Sequence, residues 1–136
     1  MTVLIVDDET FIGEELSDVF KFFEIECLVT TSVDQAIKVL KSDTLIKLVI
    51  TDLRMPEKSG EDLIKETGAD LGLKTNFVIM SGHLADQRTK DYFLNTYEHV
   101  TGFISKPIGI EDIKELIKKY FSKVSKDSHL KVVKSV

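Results

Sequence analysis

Five short apolar runs alternate along the chain with longer stretches of helical periodicity. The runs lie at 2–6, 26–31, 47–51, 76–80 and 100–104, and three of them are apolar almost throughout. Successive strand residues point to opposite faces, so a run without a polar beat has both faces covered. Strands of this kind, separated by helix-length segments, predict an α/β domain whose parallel sheet lies between two helical layers.

The intervening segments carry helix signals of their own. Ile12, Leu16, Val19, Phe20 and Phe23 recur at helical spacing, an aromatic-rich stripe that reads as core and not as a cofactor box. Ser32-Val33-Asp34-Gln35 has the form of a capping box, followed by Ala36, Ile37 and Leu40 on the same face as Val33. Ser59-Gly60-Glu61-Asp62 similarly precedes Leu63 and Ile64, and Gly68 ends that helix. Further helices are expected at 84–97 and 110–123. Residues 124–136 lack a packing stripe and read as a mobile tail.

Composition narrows the class without changing that outline. At 136 residues, 43% hydrophobic and 30% charged, the chain matches one globular domain, expected over 1–123 with the tail at 124–136. Its one cysteine, Cys27, cannot form an intrachain disulfide, and its apolar neighbours Leu28 and Val29 make it a small buried hydrophobe. The start, Met1-Thr2-Val3-Leu4-Ile5-Val6, lacks a basic region and is too short for a signal peptide or a span, so a cytoplasmic location is expected. Net charge is −5, which disfavours nucleic acid as a partner of the whole surface. Eight lysines against four acids over 106–136 read as a solvated helix and tail.

The chemistry-bearing residues sit where the runs end. Asp7 and Asp8 follow the first run, Asp52 the third, Ser81 the fourth, and Lys106 closely follows the fifth. Open α/β sheets bind ligands beyond the carboxyl ends of their strands, where strand order reverses. Carboxylates gathered there raise one another's pKa unless a cation neutralises them, and oxygen donors suit Mg²⁺ or Mn²⁺. A lysine and a hydroxyl beside such a cluster can bind phosphoryl oxygens, and an ionised aspartate can attack phosphorus to give an acyl phosphate.

Four motifs, in order, make the resemblance. Val6-Asp7-Asp8-Glu9, Thr51-Asp52-Leu53-Arg54-Met55-Pro56 with Gly60, Met80-Ser81-Gly82-His83, and Phe103-Ile104-Ser105-Lys106-Pro107 resemble the successive signatures of the response-regulator receiver family. The resemblance covers about residues 2–121. It implies a flavodoxin-like (βα)5 fold, a doubly wound parallel sheet of strand order 2-1-3-4-5. It also implies Asp52 as phosphoacceptor and Mg²⁺ (or Mn²⁺) held by Asp8, Asp52 and the backbone carbonyl of Arg54, with Asp7 acting through water. Lys106 would pair with the carboxylate or phosphoryl group, and Ser81 would hydrogen-bond a phosphoryl oxygen after transfer. Phe103 would follow that movement, Arg54 and His83 would tune phosphoryl loss, and the Lys106–Pro107 peptide would be cis.

The partners implied are a histidine kinase or histidine phosphotransfer protein and a downstream target protein. A homodimer through the face of helix 84–97, strand 100–104 and helix 110–123 is a further implication. No membrane and no direct nucleic-acid contact are expected. A pseudo-receiver, keeping the fold without phosphorylation, is the alternative; such proteins typically lose part of the acidic triad or the lysine, and all are present here. An aspartyl-nucleophile phosphatase is disfavoured, because it needs a second acid two residues after the nucleophile and position 54 is Arg. No output domain fits after residue 121, so a stand-alone receiver or one cut from a longer protein is expected.

Overall fold

The near-continuous apolar runs become the inner strands of one sheet. The structure is a computed structural model describing residues 2–42, 45–68, 75–82 and 86–132, with side chains as far as residue 121. Its elements run β1 (Thr2–Val6), α1 (Thr10–Phe22), β2 (Glu26–Thr30), α2 (Val33–Ser42), β3 (Ile46–Asp52), α3 (Gly60–Thr67), β4 (Asn76–Ser81), α4 (Gln87–Thr96), β5 (Val100–Ser105) and α5 (Ile110–Val132). All pairings are parallel and the order is β2-β1-β3-β4-β5, as the resemblance implied.

The period of two divides the strand residues between two cores. Leu4, Val6, Val49, Phe77 and Ile79 face α2, α3 and α4, meeting Val33, Ala36, Leu40, Leu63, Ile64 and Phe93. Val3, Ile5, Leu48, Ile50, Val78 and Met80 face α1 and α5, meeting Leu16, Phe20, Ile113, Leu116 and Tyr120. Central β1 is buried at every position, whereas edge β2 alternates between exposed and buried residues. The chain leaves β1 in one direction to form β2 and returns past it to form β3. The carboxyl ends of β1 and β3 therefore flank the point where strand order reverses.

Local capping sets several helix limits. Ser59 Oγ accepts from the Asp62 backbone N–H while Asp62 returns a carboxylate to the Ser59 N–H, a complete capping box. Ser32 Oγ accepts from the Gln35 N–H, and the Gln35 side chain reaches back to the Thr31 N–H instead of that of Ser32. The helix expected at 84–97 is shorter. Asp86 is extended and its carboxylate accepts from the Thr89 N–H, so α4 begins at Gln87, and extended Tyr97 ends it. Residues 83–85 lie outside the described residues. α5 instead runs past the expected limit of 123 to Val132. No Gly or Pro interrupts residues 110–132, and a missing apolar stripe argues against packing, not against helical backbone. Among the described residues, no helix is long and apolar enough to cross a membrane.

Cys27 is buried, as its apolar neighbours suggested. Burial pushes its thiol up to about 11, against the opposing effects of Ser17 and Lys21. Near pH 8 only roughly a thousandth of it would be thiolate. Dithionitrobenzoate should label the native chain far more slowly than the urea-unfolded chain; equal rates would show that the thiol is accessible.

Candidate functional site

Strand register places the acidic cluster. Val6 of β1 pairs with Thr51 of β3, so the next residues, Asp7 just beyond β1 and Asp52 at the last position of β3, stand side by side at the carboxyl edge of the sheet. Carboxylate oxygens of Asp7, Asp8 and Asp52 lie within 4.8 Å of one another. Asp7 is fully buried, Asp52 partly buried and Asp8 exposed.

Lys106 enters from just beyond β5. Its backbone N–H donates to the Ser81 carbonyl at 2.7 Å, which joins the ends of β4 and β5, and the Lys106–Pro107 peptide is cis. Nζ lies 2.8 Å from Asp7 Oδ2 and 2.9 Å from Asp52 Oδ2, and Glu9 Oε1 is 4.0 Å away. Burial alone would push the ammonium down, but the charges of Asp7 and Asp52, with the hydrogen bond to Asp52, outweigh it and hold Lys106 above the ordinary lysine value. On the lysine side the pairing is thus present throughout the neutral range and is lost as pH rises through that elevated value.

The donor set fits a hard divalent cation. Asp7 Oδ1 accepts the Glu9 N–H at 2.9 Å. Asp7 Oδ2 is buried and receives no directed hydrogen bond; its contact with Lys106 is an ion pair whose angle falls outside hydrogen-bond geometry. Lys106 pairs with Asp7 and Asp52 and has Glu9 at 4.0 Å, while Asp8 completes the carboxylate cluster, so among the described residues negative charge is in excess there. Oxygen ligands with unspent lone pairs and uncompensated charge are what Mg²⁺ or Mn²⁺ requires.

The backbone around Asp52 is held closely. Thr51 Oγ1 donates to the Asp52 carbonyl at 2.8 Å, and the Gly60 N–H donates to the Leu53 carbonyl at 2.9 Å. A Cβ on Gly60 would stand 2.2 Å from the Asp52 carbonyl oxygen, a backbone atom with little room to yield. Gly60→Ala should therefore move the end of β3, at a cost of about 1–3 kcal/mol as for other overpacked sites, and weaken divalent-cation binding. Urea denaturation with and without Mg²⁺ reads both effects, and an unchanged midpoint would show that the backbone yields freely.

The other sequence-selected residues are placed less uniformly. Ser81 ends β4, one residue beyond the Met80 that pairs with Asp52. Phe103 is half-buried and meets Phe93 edge-on at 6.3 Å between centroids. Arg54 and Pro107 are exposed, and the Arg54 N–H approaches Asp52 Oδ1 at 3.4 Å. His83 lies outside the described residues. Sequence reasoning assigned no role to Glu9, which stands beside Lys106, or to Glu61, which accepts from both Tyr92 and Tyr97. Beside Lys106, a cleft of about 400 Å³ is lined by Phe11, Ile12, Glu15, Leu16, Gly82, Pro107 and Ile108.

The family model described as response regulator receiver domain matches residues 3–118. The chain belongs to the receiver-domain family. Response regulator RR06 of Streptococcus pneumoniae is 30% identical to this receiver domain over 89% of the chain and 55% of its own length. Response regulator SaeR of Staphylococcus epidermidis is 28% identical over 93% of the chain and 53% of its own length. The chain thus spans about half the length of these curated relatives. A receiver domain protein (CheY-like) from Methanospirillum hungatei shares the fold, with a TM-score of 0.78 at 21% identity over 93% of this chain and 97% of that one.

Proposed function

We propose that this receiver domain accepts a phosphoryl group on Asp52 from a histidine kinase or histidine phosphotransfer protein, dependent on Mg²⁺ or Mn²⁺. One observation carries the reading: Lys106 Nζ lies within ion-pair distance of both Asp7 and Asp52, inside a cluster of three carboxylates. In the transfer, an Asp52 carboxylate oxygen forms a bond to phosphorus while the phosphorus–nitrogen bond of a phosphohistidine breaks. Lys106 stabilises negative charge on the transferring oxygens. Asp7, Asp8 and Asp52, with the Arg54 carbonyl, would hold the cation, which when bound supplies further positive charge against the phosphoryl group. The domain promotes its own modification and turns over no separate metabolite.

The new charge at the end of β3 draws Ser81 toward it, and Phe103 follows. This changes the face formed by α4, β5 and α5, where a downstream target or a second copy would bind. A swing from 1:99 to 99:1 needs about 5.5 kcal/mol of differential stabilisation. Charge-assisted hydrogen bonds at about 1.5–3 kcal/mol each supply that with about two at the upper end of the range or about four at the lower end. The receiver unit is assigned to residues 1–123, with 124–136 appended to it, and the working location is the cytoplasm.

Intact-mass spectrometry after treatment with acetyl phosphate and Mg²⁺ tests this. A hydroxylamine-labile phosphoryl adduct is expected, and chelation of Mg²⁺ should remove it. No adduct with or without metal would leave the chain as a non-phosphorylated interaction module.

A further inference from the structure

Helix α4 is seated on little apolar surface. Phe93 is its one buried residue, while Tyr92 and Leu94 are exposed. An amphipathic helix normally holds its place by a broad apolar stripe, so α4 needs another attachment. The rings of Tyr92, Phe93 and Tyr97 adjoin one another at 5.1–6.3 Å, and Phe93 continues the chain of contacts to Phe103 of β5. The hydroxyls of Tyr92 and Tyr97 both donate to one oxygen, Glu61 Oε2, each at 2.5 Å.

Glu61 is not on a pliable loop. It is the second residue of α3, between Gly60, which lies against the Asp52 carbonyl, and Asp62, which closes the capping box with Ser59. Tyr97 leads directly into β5, its carbonyl accepting the Val100 N–H at 3.1 Å. A single carboxylate oxygen therefore joins the segment that follows Asp52 to both the start and the end of the aromatic cluster. Hydrogen bonds from hydroxyls to an ionised carboxylate are among the stronger kinds. Burial opposes ionisation of Glu61, yet the two tyrosines outweigh it and hold the carboxyl below the usual glutamate value.

We propose that Glu61 is a positioning residue that latches α4 to the Asp52–Gly60 backbone through Tyr92 and Tyr97, and passes movement of that backbone to α4. The route runs beside the one through Ser81 and Phe103. The latch itself concerns the unmodified protein; its use in signalling rests on Asp52 as phosphoacceptor.

Hydrogen–deuterium exchange of the full chain separates the two parts. In unmodified protein, Glu61→Ala and the double variant Tyr92→Phe/Tyr97→Phe should each speed exchange across α4 by about tenfold or more, with α1 and α2 unchanged. Combining all three substitutions should add nothing further, since the same two hydrogen bonds are lost in every case. Unchanged α4 exchange in both variants, or fully additive effects, would overturn the latch. In a second arm, beryllium fluoride with Mg²⁺ stands in for the phosphoryl group. It should alter α4 exchange in the native chain and alter it clearly less in Glu61→Ala. Equal responses overturn the coupling. No response in the native chain removes the coupling together with the phosphoacceptor reading, and the latch is then decided by the first arm.

Discussion

Asp52→Asn should lower phosphoryl labelling by acetyl phosphate more than about a hundredfold, to background, because an amide offers no anionic oxygen to attack phosphorus. The substitution conserves shape, and its side-chain oxygen can still accept from Lys106, which in the native chain donates to Asp52 Oδ2 at 2.9 Å. It also removes one negative charge from a site where carboxylates outnumber the lysine. The fold should consequently be at least as stable as before, so lost labelling cannot be ascribed to unfolding. Asp8→Asn supplies the contrast. It removes an exposed carboxylate but leaves Asp52 intact, so labelling should fall and then recover as Mg²⁺ is raised. Phosphopeptide mapping after timed exposure to donor measures both. Labelling of Asp52→Asn at the native rate would overturn the assignment.

What the chain disclosed in advance followed from how local each feature is. The strands at 2–6 and 76–80 were legible because burial on both faces leaves unbroken apolar runs, and the capping box at Ser59 because its partners are three residues apart. Strand order was a different matter: spacing alone did not supply it, and the resemblance did. Once β1 lies beside β3, the meeting of Asp7 with Asp52 follows from register, 45 positions apart though they are. The buried state of Asp7 had no sequence signal, since an acid after a strand reads as the start of a solvated helix. The observed cap of α1 is Glu9, which makes no side-chain capping bond, while Asp7 takes the Glu9 N–H. Gly60 was visible as part of a motif, but its reason is the approach of one backbone to another, which has no periodic trace. Glu61 meets its tyrosines across 31 and 36 positions, too far for any helix-surface rule. The limits of α4 and α5 were missed for opposite reasons: one depends on a single cap at Asp86, the other on helical backbone without a packing stripe.

Lys106→Ala should separate the lysine's structural work from cation binding, because the two make opposite predictions for added Mg²⁺. Without metal, the variant leaves Asp7 fully buried with no cation at 2.8 Å. Removing one partner of a buried pair costs about 3–5 kcal/mol, and the lower end is expected because Lys106 and Asp52 each retain 15% side-chain exposure. The ammonium also repels any divalent cation among the same oxygens. Deleting it should therefore leave Mg²⁺ bound at least as tightly as in the native chain, and the variant should regain stability as metal is added, following the mass-action dependence on ligand concentration. Calorimetric titration and urea denaturation across a Mg²⁺ series give the two quantities. Labelled or unlabelled, the variant should show the same α4–β5–α5 face, since the charge that answers the phosphoryl group is gone. Loss of Mg²⁺ affinity in Lys106→Ala would mean that the lysine organises the carboxylates for the metal instead of competing with it. An unchanged stability without metal would mean that Asp7 finds its neutralising charge elsewhere.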